Sequence, residues 1–161
     1  MYHLDLTSDD SIIDLKQNIL NYLKEIKKTK KCTIIWTYFL SGSVVDISDI
    51  KYKIAHTCPK KYKNIDLQTY KQYIDKSDGF TSIFKSLNKK TILIVPTKPF
   101  INLTEFAVYS TNKEWLLLWK SVATVVKKLL KKTPLYISTH GHGISYLHIR
   151  IEEKPIYYKE F

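Results

Sequence analysis

Apolar residues recur at helical intervals in two long stretches of the chain. Elsewhere they alternate with polar residues or run together. Ile12, Leu15, Ile19, Leu23 and Ile26 stand three or four apart, so they share one face of a helix. Ser8-Asp-Asp-Ser11 can cap its start. Lysines crowd its end, where positive charge suits the helix dipole. This spacing predicts a helix over 9–28. A second helix is predicted from Thr111 and Glu114, which have the spacing of a capping box. Trp115, Leu118, Trp119, Val122, Val125, Val126 and Leu129 give it a broad apolar face. A basic cluster before Thr133-Pro134 ends it.

The shorter apolar segments have strand character. Cys32 to Leu40 is β-branched and aromatic, and Ser41-Gly42-Ser43 breaks it. Val44 to Ile54 fits a more polar strand or a loop. A short helix is predicted from Asp66 through Lys76, burying Leu67, Tyr70 and Ile74. Thr91 to Val95, closed by Pro96, predicts a central strand. Leu135 to Ser138 predicts another. From Ile144 to Ile151 the residues alternate, with Leu147, Ile149 and Ile151 on one face and Tyr146, His148 and Arg150 on the other. The mix predicts an α+β fold in a single domain over 1–161: a mixed or antiparallel sheet with two long helices packed on it.

Charge changes this picture more than composition does. The net charge is +11, a field that attracts polyanions without sequence specificity. Lys24 to Lys31, Lys60 to Lys63 and Lys127 to Lys132 carry much of it, as solvated surface blocks do. Tyr52, Tyr62, Tyr70 and Tyr73 interleave with lysines, a pattern open to stacking with single-stranded nucleic acid. Trp115 and Trp119 stand among leucines at helical spacing, which favours core packing. Cys32 and Cys58 have neither metal-ligand spacing nor a disulfide framework, which fits a reducing compartment. The N-terminus has no signal-peptide core, and no apolar run reaches a membrane span. A soluble, intracellular protein with no membrane partner is expected.

Candidate chemistry gathers in one place. Of 26 basic residues, one is an arginine, Arg150. Its planar fork of donors is something lysine cannot imitate. Ser138-Thr-His-Gly-His-Gly-Ile-Ser-Tyr-Leu-His-Ile-Arg150 also holds His140, His142 and His148, with Gly141 and Gly143.

These residues resemble the pattern of an uncharacterised protein family of large DNA viruses, plants and bacteria: Ser-Thr-x-Gly-x-Gly-Val-x-Trp-Leu-His-x-Arg, an acidic residue, then Pro-Lys-Tyr-Tyr. Ser138, Thr139, Gly141, Gly143, Leu147, His148, Arg150, Pro155, Tyr157 and Tyr158 stand in matching places. Ile144 replaces valine, Tyr146 tryptophan, Glu152 aspartate and Ile156 lysine. The resemblance covers 80–158 and implies no known activity. It implies that histidine is not required at 140 and 142.

Three readings of the segment stay open. In the first, the glycines bring backbone N–H groups close to a bound phosphate. Arg150 then grips it bidentately, His148 acts as acid or base, and Thr139 or Ser138 orients an oxygen. His140, Gly141, His142, Gly143, Tyr146, Tyr157 and Tyr158 complete the ligand contacts. In the second, His140, His142 and His148 hold a metal; the family pattern weighs against it, and neither metal nor cofactor is expected. In the third, the glycines make a hairpin and Arg150 pairs with Glu152 or Glu105. The favoured function is binding of a phosphate-bearing ligand, a nucleotide or nucleic-acid end, with phosphoester chemistry as an extension. The alternative is a non-enzymatic basic module, or a viral accessory protein, acting on nucleic acid or a host protein.

Overall fold

A computed structural model describes residues 2–29, 36–40, 44, 46–57, 81–85, 91–96, 98, 100, 102–129, 135–140 and 147–152. The first strand, β1, is Tyr2–Leu4, followed by helix α1, Asp9–Thr29. Strands β2 (Trp36–Leu40), β3 (Ile50–Thr57), β4 (Thr81–Lys85) and β5 (Thr91–Pro96) come next. Helices α2 (Leu103–Tyr109) and α3 (Asn112–Leu129) then precede β6 (Tyr136–His140) and β7 (His148–Glu152). The strands lie in the order β1-β3-β2-β6-β7-β5-β4, and every pairing is antiparallel. The α+β class and the two long helices are as expected.

Helix α1 starts where Ser8 Oγ accepts from the Ser11 N–H at 3.3 Å, and Asp9 and Asp10 occupy its first turn. Ile12, Leu15, Ile19, Leu23 and Ile26 are all buried. Helix α2 is capped by Asn102, whose Oδ1 accepts from the Glu105 N–H at 2.9 Å. It ends at Ser110, whose N–H donates to the Phe106 carbonyl. The predicted capping box then opens α3. The Thr111 N–H donates to Glu114 Oε1 at 3.0 Å, and the Glu114 N–H donates to Thr111 Oγ1 at 3.1 Å. Three short elements escaped the sequence reading. Three-residue β1, five-residue β4 and seven-residue α2 are too brief to display a period.

Helix α1 packs on α2 and α3, which lie against β2 and β5 respectively. Trp115 and Trp119 are fully buried, with ring centroids 5.8 Å apart, and Phe106 stacks on Trp115 at 5.1 Å. The Trp115 indole N–H donates to the Ile12 carbonyl at 2.7 Å, locking α3 to α1. On the sheet, Ile92, Ile94, Ile137, Ile149 and Ile151 join this same core. Strand alternation therefore assigns the helix side of β5, β6 and β7 to these isoleucines.

Strand β3 corrects one boundary. It begins at Ile50 rather than near Val44, because Asp46 caps a turn by accepting from the Ser48 N–H and hydroxyl at 2.9 and 2.8 Å. Ile50 and Tyr52 then face the core while Lys51 and Lys53 are exposed. Tyr52 is thus no stacking platform. It is 1% exposed, and its hydroxyl accepts from Asn18 of α1 at 3.0 Å. Tyr62, Tyr70, Tyr73, Cys32, Cys58 and the helix expected over 66–76 lie outside the described residues.

Candidate functional site

Strand β7 alternates between two environments. Ile149 and Ile151 enter the helix-side core, so His148, Arg150 and Glu152 stand on the opposite face of the sheet. Register with the neighbouring strands shows what surrounds them. Ser138 lies opposite Arg150 on one side and Leu93 on the other. Tyr136 and Thr91 flank Glu152, and His140 is the register partner of His148. The row through the arginine runs Phe84, Leu93, Arg150, Ser138, Leu40 and Lys53 across six strands.

On β7, and at Ser138 beside it, this face is polar and largely shut off from water. Ser138 is 6% exposed, His148 2% and Glu152 5%, and strand alternation sets all three opposite the core isoleucines. Val95, on the same face of β5 as Leu93, is buried and likewise outside that core. Arg150 is partly exposed, although its Nε is buried, as is Glu152 Oε2. Ionic groups held this way must be compensated, since bare burial of a charge is costly. Consecutive members of the face stand two residues apart, about 7 Å along the strand. Arg150 thus has an imidazole on one side and a carboxylate on the other.

The sequence-derived candidates separate on this geometry. His148, Arg150 and Ser138 come together. Thr139 does not: it pairs with Ile149 and is 1% exposed, on the helix side. The two-residue period of β6 turns Ser138 and Thr139 to opposite faces, which the motif alone does not reveal. Gly141, His142, Gly143, Tyr146, Tyr157 and Tyr158 lie outside the described residues. So does the loop of the first reading and the middle histidine of the second. Among the described residues, no three His, Cys, Asp or Glu side chains are grouped to hold a metal. Tyr136, Leu93 and Val95 were not foreseen around the arginine. Only strand pairing brings them there.

A family model described as a family of unknown function, DUF6940, matches residues 15–160. The chain belongs to the DUF6940 family. Its likeness to DUF6940 proteins begins in α1 and takes in nearly the whole sheet, a wider span than the 80–158 that the motif suggested. No curated protein and no solved structure matches this DUF6940 chain. None of its described helices is long and apolar enough to cross a membrane.

Proposed function

We propose that this DUF6940 protein binds a phosphate-bearing ligand, a nucleotide or nucleic-acid end, on the polar face of β6 and β7. The observation that carries the reading is the position of Arg150. The only arginine of the chain lies in the middle of the sheet, on the face opposite the described helices, partly open to solvent and in register with a buried serine. A guanidinium offers two parallel N–H donors to a phosphate, and low local dielectric strengthens both.

The neighbours then take distinct parts. The Ser138 hydroxyl donates to a further phosphate oxygen. His148 supplies another donor, and acid–base help if the bound ester reacts. Glu152 holds the guanidinium in place and tempers its charge. Thr139 belongs to the core and drops out of the ligand contacts. Gly141-x-Gly143 follows His140 in the sequence and lies outside the described residues.

Calorimetric titration with a nucleoside triphosphate, and separately with inorganic phosphate, tests this. Arg150→Lys keeps the charge and loses the fork, and should weaken binding about tenfold or more, nearly as much as Arg150→Ala. Equal affinity in wild type and Arg150→Lys overturns the proposal. Phosphate release from the bound ester, followed in wild type and His148→Ala, separates binding from catalysis. A second reading, a non-enzymatic basic module, is favoured by exposed Lys51 and Lys53 on the arginine's side of β3. It predicts binding that Lys51→Glu and Lys53→Glu weaken more than Arg150→Lys does.

A further inference from the structure

A surface of different character lies at the far edge of the sheet. There Tyr2 of β1 stacks on Tyr52, with ring centroids 5.3 Å apart and planes 21° from parallel. Tyr52 is buried and tied to Asn18, so it fixes the ring that rests on it. Tyr2 itself is 42% exposed. Beside it an open groove of about 670 Å³ runs along α1, lined by Tyr2, Asn21, Tyr22, Lys24, Glu25 and Lys28. Lys24 and Lys28 stand one helical turn apart, about 6 Å along the axis. The groove is on the helix side of the sheet, and β1 is four strands from β7, about 19 Å away. It is separate from the Arg150 face.

We propose that this groove docks single-stranded nucleic acid, with a base on the Tyr2 ring and successive phosphates against Lys24 and Lys28. Stacking on an aromatic ring beside a lysine-lined track is the chemistry by which proteins hold single strands without reading sequence. The ring is pre-set by its stack on Tyr52, so little rotamer freedom is lost on binding. A duplex has no free base face to offer Tyr2. An acidic peptide would meet the lysines and leave the ring idle. The groove contains one acidic residue, Glu25, which pairs with Lys28 at 3.7 Å. Both side chains are more than 70% exposed (72% and 75%), so the pair is weak and a phosphate can displace it. The net charge of +11 raises the encounter rate with any polyanion.

The test is fluorescence anisotropy with a labelled oligothymidine lacking a terminal phosphate, so that the Arg150 face is not read. The full chain is compared with Tyr2→Ala, with Lys24→Glu/Lys28→Glu, and with Lys127→Glu/Lys128→Glu as a charge-matched control on α3. Wild type should bind at about 50 mM salt and lose affinity steeply by about 200 mM. The groove pair of substitutions should cost about tenfold or more and the control pair less than about threefold, while Tyr2→Ala costs about fivefold. Melting curves confirm that each variant is folded; the lysines are exposed, so their pair tests the groove even if Tyr2→Ala unfolds. Equal losses in the two lysine pairs, or no binding by wild type at low salt, overturn the proposal. So does tighter binding to polyglutamate than to oligothymidine.

Discussion

Arg150 and its flanking residues make sharp demands on single substitutions. Glu152 stands about 7 Å from the arginine along the strand. Glu152→Gln keeps its shape and removes its charge. On the proposed reading, phosphate affinity should rise, by about threefold to tenfold at an effective dielectric near 70 to 35; calorimetry with inorganic phosphate measures it, and a fall in affinity of the folded variant contradicts it. In the core, Trp115→Phe keeps the ring and deletes the indole N–H that Ile12 accepts. Losing this second bond to a carbonyl that stays in the α1 ladder should cost about 0.5–1.5 kcal/mol in chemical denaturation, while Trp115→Ala should cost about 3–5 kcal/mol through the cavity it opens. At this scale the sequence was informative wherever a residue was unique or periodic. Arg150 stood out among lysines, and Trp115 and Trp119 fell on an apolar face. Thr139 and Tyr52 were misjudged because a motif and a Lys/Tyr pattern do not say which face of a strand a residue occupies. That is fixed by partners distant in the chain.

Among the elements, α3 is held at its start by Thr111, Glu114 and Lys98. Lys98 Nζ meets Glu114 Oε2 at 2.7 Å. The hydrogen bond from Lys98, then that from the Thr111 N–H, holds the Glu114 carboxyl below its ordinary value. A carboxylate with a lowered folded value stabilises the fold above its unfolded pKa, and that contribution is lost as pH falls through the folded value. Thr111→Ala should cost about 1 kcal/mol at neutral pH. Its deficit relative to wild type should shrink on acidification below about pH 4, as Glu114 protonates in both proteins and the reciprocal half of the box weakens. Denaturant midpoints at several pH values measure this, and a deficit that grows with acidification contradicts it. Tyr52 supplies the opposite limb. Burial pushes its phenol up, partly offset by the Asn18 hydrogen bond. Its stabilising share is therefore present below the unfolded phenol value, near 10, and is lost as pH rises toward the folded one. Tyr52→Phe should remove that alkaline loss. The long helices were legible because five to seven apolar positions repeat in each. Helix α2 buries Leu103, Phe106 and Ala107 in under two turns, too few for a period to emerge.

For the molecule as a whole, the strand order β1-β3-β2-β6-β7-β5-β4 places the last two strands in the interior of the sheet. Strand β7 joins β6 to β5, and Leu40 pairs with Ser138 from far along the chain. Such long-range pairing predicts refolding in milliseconds to seconds rather than microseconds, which stopped-flow fluorescence of the buried tryptophans would report. The order has a further meaning for a chain made from its N-terminus. While β7 is still inside the ribosome, β1, β3 and β2 on one side and the β4–β5 hairpin on the other have no strand among the described residues to join them, and each carries an open edge able to pair with a stranger. The newborn protein therefore passes through a stretch of synthesis as two unjoined half-sheets. A single strand, the one bearing His148, Arg150 and Glu152, ends that interval by closing the gap between them.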